Sequence, residues 1–182
     1  MLLSLDISTS CTGFCIFNSQ NELELISYID LSKHNDFYEK VTEVKSVLLK
    51  IKNDYDIKSI AVEENLQAFR PGLSSAKTLM TLAQFNGTVR WICYEMFNIQ
   101  PDVINVNTAR RAVGLKIDRK SNESTKDQVR KWVFENEEKI ENWPFKVLKS
   151  GRNKGQIKIK NESYDMADAY VIGKAKILLS NF

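Results

Sequence analysis

Four carboxylates stand where the surrounding residues are apolar. Asp6 interrupts the run LLSLDI, Glu63 follows the apolar stretch IAV, and Asp165 and Asp168 fall three apart in YDMADAYVIG. An unpaired charge is costly to bury, so Asp6, bracketed by Leu5 and Ile7, needs a partner, a cation or a solvent-facing strand end. Residues i and i+3 of a helix share a face, so Asp165 and Asp168 would present their carboxylates together in the first turn, where the helix dipole favours them. Clustered acids raise one another's pKa unless a cation neutralises them. An oxygen-rich set without histidine or thiolate suits hard ions such as Mg²⁺ or Mn²⁺. Two such ions about 3.5–4 Å apart activate a water and stabilise the leaving oxygen in phosphodiester cleavage. Taken singly, Asp165 reads as a dipole-complementing acid and Glu63 or Glu64 as a solvated strand end; the conjunction points to a metal site. The single histidine, His34, lies in a polar stretch and reads as a loop residue, not a base.

These acids meet only if the first and fourth strands lie side by side and the last helix crosses their ends. Residues 2–7 and 13–17 read as strands joined by a polar turn, and 22–31 alternates as the third strand of a meander. Residues 36–53 carry apolar positions at helical spacing. A short buried strand at 59–62 runs into Glu63, a long helix spans 74–97, and 103–106 is a fifth strand. Helices at 108–113 and 124–135 precede a loose basic stretch, 136–162, in which 156–160 alternates as a strand or hairpin arm. A final helix covers 164–179. Crossovers after Val62 and Val106 imply strands parallel to the first. The expectation is an α/β fold with a mixed five-stranded sheet, a three-strand antiparallel meander plus parallel strands, flanked by helices.

The chain of 182 residues is expected to form one domain over 1–182, with 43% hydrophobic residues, ordinary for a folded core. No apolar run reaches the ~18–20 residues of a membrane span, and no secretory signal is visible. Three cysteines, Cys11, Cys15 and Cys93, have no ligand-like pairing and read as reduced thiols of a cytoplasmic protein. Residues 107–160 hold 15 Lys/Arg against 7 Asp/Glu, while the rest of the chain is net acidic. Such asymmetry suits a protein that meets a polyanion on one side and holds cations on the other, or else a solubilising face.

The stretches LDISTSCTGFCIF, IAVEENL, STKDQVRKWV and YDMADAYVIG, in that order and spacing, resemble the RuvC family of Holliday junction resolvases, of the ribonuclease H-like superfamily. Asp6 with Thr12-Gly13, Ala61-Val62-Glu63 and Asp165–Ala169 carry the resemblance. It implies a homodimeric, metal-dependent endonuclease that nicks two opposed strands at a four-way DNA junction and leaves ligatable ends. Asp6, Glu63, Asp165 and Asp168 would hold two Mg²⁺ or Mn²⁺ ions, and Lys126 would offset charge developing on the scissile phosphate. A second basic residue of the family corresponds to Arg110 or Arg111. The family's aromatic three residues after the second acid is replaced here by Leu66, so stacking on an unpaired base would pass to Phe69, weaken or be lost. Arg70, Lys116, Lys149, Arg152, Lys154 and Lys158 are further candidates to face DNA phosphates. The longer, basic stretch before the last helix fits a divergent, phage-type member with relaxed preference.

Other readings share parts of the pattern. Actin-like and sugar kinases also begin with an aspartate strand and a Ser/Thr turn, but need two domains and glycine-rich loops; this chain has 7 glycines. A binding module that lost its chemistry would not need all four acids and Lys126. A debranching or RNA-processing nuclease of the same fold would keep the same acids and differ only in its substrate contacts. The helix at 74–97 is the best candidate for the dimer interface, since Phe85, Trp91, Met96 and Phe97 exceed one buried stripe; the alternative is a helix buried on two sides within the monomer.

Overall fold

The computed structural model describes residues 1–64, 76–138, 140 and 143–180. Strands β1 (Leu2–Ile7), β2 (Cys11–Phe17) and β3 (Leu23–Asp30) form the antiparallel meander. Helix α1 (Phe37–Asp54) leads to β4 (Ser59–Glu63), and α2 (Ala76–Phe97) to β5 (Asp102–Ile104). Both crossovers return parallel: β4 lies beside β1 and β5 beside β4, giving the order β3-β2-β1-β4-β5. Helices α3 (Val106–Ala112) and α4 (Thr125–Asn136), a two-stranded hairpin of β6 (Phe145–Val147) and β7 (Ile157–Ile159), and α5 (Glu162–Ser180) complete the chain. The mixed sheet with flanking helices is the architecture the sequence pattern predicts. No helix among the described residues is long and apolar enough to cross a membrane.

Strand alternation sorts the sheet into two faces. Leu3, Leu5, Ile7, Phe14, Ile16, Ile60 and Val62 point into the core with α1 and α2. Leu2, Cys15, Phe17 and Ala61 point to the opposite side, under α5, α3 and α4. Asp6 and Glu63 share the parity of that second side. Asp36 caps α1 by accepting from the backbone N–H of Tyr38 and Glu39, and Asn105 caps α3 from Asn107 and Thr108. The Asn105 cap explains why α3 begins two residues earlier than the periodicity indicates.

The contact that seats α5 is backbone on backbone. A Cβ on Gly13 would lie 2.0 Å from the Asp165 carbonyl oxygen, and one on Gly173 would lie 2.2 Å from the Phe17 ring. Ser4 Oγ donates to the Ala169 carbonyl at 2.8 Å, and Phe17 stacks obliquely on Tyr170 with centroids 5.7 Å apart. Small residues on β1 and β2 therefore let the helix lie flush on the strands.

Three expectations are corrected. Helix α5 begins at Glu162, two residues early, so Asp165 lies in its first turn and Asp168 in the next. In α2, Phe85 is fully buried and Met96 and Phe97 pack on the core; Trp91 is exposed, with Met80 and Tyr94. Strand β6, which the sequence reading lacks, is the third correction: Phe145–Val147 pairs with Ile157–Ile159, so of the two readings of that stretch the hairpin arm is the one observed.

Gly13→Ala should cost at least about 3 kcal/mol and lower Tm by roughly 6–12 °C. Gly87, on the exposed side of α2 with nothing within 4 Å of its would-be Cβ, should behave oppositely, gaining about 1 kcal/mol as Ala. Thermal melts followed by circular dichroism check both; equal effects would show that α5 does not depend on the Gly13 contact.

Candidate active site

At the carboxyl ends of β1 and β4 the two strands carry Asp6 and Glu63 side by side, one step beyond the paired Leu5 and Val62. Helix α5 crosses these ends and brings in Asp168. One oxygen from each of Asp6, Glu63 and Asp168 lies within 4.8 Å of the others. Asp165, one helical turn earlier, lines the same cleft of about 260 Å³. Gly13 is paired with Asp6 across β1 and β2 and holds the Asp165 backbone against the strand, so the missing side chain of one residue places the carboxylate of another. A larger concavity of about 500 Å³ between the ends of α1 and α2 has no such converging acids.

Among the described residues, two cations border the acids. Arg110, on α3, donates through Nη2 to Asp168 Oδ1 at 3.5 Å, while Arg111 is solvent-exposed. Of the two, which the sequence left open, Arg110 is the one α3 turns into the cleft. Lys126 enters from the first turn of α4. Ser124 caps that helix by accepting from the Asp127 N–H, and Asp127 accepts from the Tyr164 hydroxyl at 2.7 Å. Lys126 Nζ sits 5.7 Å from the Tyr164 ring centroid, and the Arg130 guanidinium 4.5 Å from it. This network ties the start of α4 to α5 immediately before Asp165.

The electrostatics are those of an acid cluster short of positive charge. Burial, then the charges of Glu63, Asp168 and Asp165, drives the Asp6 pKa well above the ordinary carboxylate range. Burial and Asp168 push Glu63 up to about 7, against the lowering pull of Arg110 and Lys126. Asp165 and Asp168 are also raised, chiefly by burial. Burial raises all three cysteine thiols too, and they are free. Three carboxylate oxygens at this spacing, in a pocket with no histidine or reactive thiolate, fit a hard divalent cation.

The remaining DNA-contact candidates fall into three groups. Lys149, Arg152, Lys154 and Lys158 are exposed on the β6–β7 hairpin, outside the acid cleft, and Lys116 is exposed in the loop after α3. Phe69 and Arg70 lie outside the described residues, as does Leu66. Lys146 and Lys160, which the sequence did not single out, line a groove of about 400 Å³ with Asp165, Glu162 and Cys11. Asn86, only 2% exposed, and Ser8 also line the acid cleft. A polar Asn86 on the otherwise apolar buried stripe of α2 was a legible signal; the side-chain direction of Lys146 was not.

No protein-family model and no curated protein sequence matches the chain. Solved structures do. Thermus thermophilus RuvC in complex with a Holliday junction substrate superposes with a TM-score of 0.63 at 13% identity, covering 99% of this chain and 94% of that one. A second T. thermophilus RuvC structure gives 0.59 at 13%, covering 99% and 95%. The yeast mitochondrial Holliday junction resolvase Ydc2 gives 0.59 at 14%, covering 100% and 80%. The chain has the RuvC fold. In this RuvC-like frame the acid cleft lies where β1, β4 and α5 meet, so the expected ribonuclease H-like architecture and the expected meeting of the acids describe one arrangement.

A raised carboxylate pKa makes the folded state bind protons more tightly than the unfolded chain. Stability is then full below the ordinary carboxylate pKa and declines as pH rises toward the folded value, for Glu63 between about 4.5 and about 7. Metal-free protein should therefore lose Tm between pH 5 and 8, and millimolar Mg²⁺ or Mn²⁺ should restore it at pH 8 but not at pH 5. Asp6→Asn should raise the metal-free Tm at pH 8. Thermal scans with chelator or metal check this; a variant as pH-sensitive as the parent would show that the cluster is not the source.

Proposed function

We propose that this protein is a metal-dependent endodeoxyribonuclease that resolves four-way and other branched DNA junctions by paired phosphodiester nicks. The observation that carries the reading is the convergence of Asp6, Glu63, Asp165 and Asp168 from β1, β4 and α5 on one cleft bordered by Lys126 and Arg110. The likeness to RuvC described with a Holliday junction substrate supports branched DNA as the partner. Two Mg²⁺ or Mn²⁺ ions held by the four acids would supply the attacking water and stabilise the leaving oxygen.

The chain's own residues do the rest. Asp6 and Glu63 stand on adjacent strand ends whose ladder fixes them, so the acid pair does not spread under its own repulsion. Lys126 offsets negative charge that develops on the scissile phosphate. Arg110 pairs with Asp168 and leaves that carboxylate more readily ionised. The exposed basic hairpin favours a broad range of branched substrates, since phosphate contacts carry no sequence information. Debranching of forks and flaps belongs to this reading; RNA processing by the same cleft is the alternative.

Paired nicks need two cleavage sites, and two-fold symmetry supplies them. We assign the homodimer contact to the exposed side of α2, where the Trp91 and Tyr94 rings lie 5.7 Å apart between centroids and Met80, about three turns earlier, is also exposed. The whole chain acts as one nuclease domain, and its free buried thiols suit the reducing cytoplasm, the host's if the gene is phage-borne.

A nicking assay on a four-way junction, a fork, a flap and a linear duplex tests the proposal. Cleavage of branched substrates should require Mg²⁺ or Mn²⁺ and stop with chelator. Asp6→Asn and Asp168→Asn should each lower the rate by at least about a thousandfold while leaving junction binding intact. Wild-type cleavage by either variant would overturn the active-site assignment, and cleavage of RNA alone would favour the alternative. A monomeric mass in light scattering would overturn the stable dimer.

A further inference from the structure

The β6–β7 hairpin has two unlike faces. The register pairs Phe145 with Ile159, Lys146 with Lys158 and Val147 with Ile157. Cross-strand partners point the same way, so both lysines share one face and the apolar residues share the other. Among the described residues, Ile159 is half-buried beside α4, but the other three members of that face stay open to water: Phe145 is 52%, Val147 57% and Ile157 71% exposed. The three line a shallow hollow of about 310 Å³ with Lys146 at its edge. Two-stranded hairpins rarely hold such a face to water without use for it.

The hairpin's base is fixed. Trp143 is buried in the core beneath α5 and lies 4.5 Å, centroid to centroid, from Phe134 of α4. The Lys160 N–H donates to the Pro144 carbonyl at 2.7 Å, and Leu148 and Gly155 extend the ladder beyond the strands. On the side facing the cleft, Lys146 and Lys160 share a groove with Asp165. The arm thus rises from the rim of the acid site.

Its charge selects the occupant. Residues 143–161 contain six Lys/Arg and no Asp or Glu. Two copies of this chain meeting through the arm would bring like charges together, whereas a polyanion with apolar surface satisfies both faces. Nucleic acid has that combination only where base planes are unstacked, because in a continuous duplex the bases cover one another.

We propose that the hairpin is a branch-sensing arm whose apolar face, Phe145, Val147 and Ile157, packs against nucleobases unstacked at a DNA branch point, while Lys149, Arg152 and Lys154 take the flanking phosphates. The inference rests on the branched-DNA reading above and adds the element that recognises the branch. Apolar wedges of this kind hold bases that have left the stack, and aromatic contact with them is sequence-tolerant. The basic tip binds any phosphate backbone; the apolar face binds only where bases are accessible.

The test compares the triple variant Phe145→Ser, Val147→Ser, Ile157→Ser with wild type, on a four-way junction and a linear duplex carrying 2-aminopurine at the branch position or its duplex equivalent. All three side chains are exposed, so far-UV circular dichroism and Tm should hold. Junction affinity should fall roughly tenfold or more, duplex affinity should stay within about twofold, and the branch-specific 2-aminopurine response should vanish. Phe145→Trp alone should retain it. Lys149→Gln, Arg152→Gln and Lys154→Gln together should weaken both substrates alike and flatten the salt dependence, by about 0.9 in log–log slope for each phosphate no longer neutralised. Unchanged or equal losses in the apolar variant, with wild type still cutting junctions, would overturn the arm and leave the nuclease reading standing. A fall in oligomeric mass of the variant would assign the face to a second copy and overturn the arm as well. Wild type that binds no branched DNA would overturn both.

Discussion

Everything in the site depends on how closely α5 lies on β1 and β2. The helix backbone at Asp165 touches Gly13 where any side chain would collide, and Gly173 returns the favour against Phe17 and Ser4. With the helix held at that distance, Asp168 reaches the strand ends that carry Asp6 and Glu63. A helix standing off by the thickness of one methyl group would leave the acids too far apart to share a ligand. The short buried bond from Ser4 to the Ala169 carbonyl adds a directional tie to the packing contact.

The same close approach creates the site's electrostatic strain. Burial raises all four carboxylates, repulsion within the cluster adds to it at Asp6, Glu63 and Asp168, and the nearby cations offset only part of the rise. Hydrophobic packing on both sheet faces opposes that strain, because Leu5, Ile7 and Val62 beside the acids are buried among α1 and α2. The fold thus holds together a cluster that would separate if free. A hard cation bound by Asp6, Glu63 and Asp168 would relieve it.

Charge is also divided along the chain in a way that matches the architecture. The acids come from the sheet and from α5, whereas the cations come from α3, α4 and the hairpin between α4 and α5. Acid cleft and basic arm are therefore neighbours in space, with Lys146 and Lys160 beside Asp165.

Much of this was readable from residues alone. Period-two and period-3.6 patterns placed β1 to β4, α1 and α5 to within two residues at either end, since each buries an apolar face. The four acids stood out because carboxylates inside apolar runs are costly without a purpose. The choice of Arg110 over Arg111 was not readable, because adjacent helical residues differ by about 100° and only the docked α3 sets which enters the cleft. The same holds for Phe85 of α2, buried against Phe37 of α1 while Trp91 faces out. Strand β6 escaped because three residues carry too little periodicity to register; pairing with β7 makes it a strand. Sequence determined the elements and the chemistry they bear, since those follow from local spacing and residue type. Tertiary structure alone decided which side chains meet, because meeting depends on the distance and rotation at which separate elements dock.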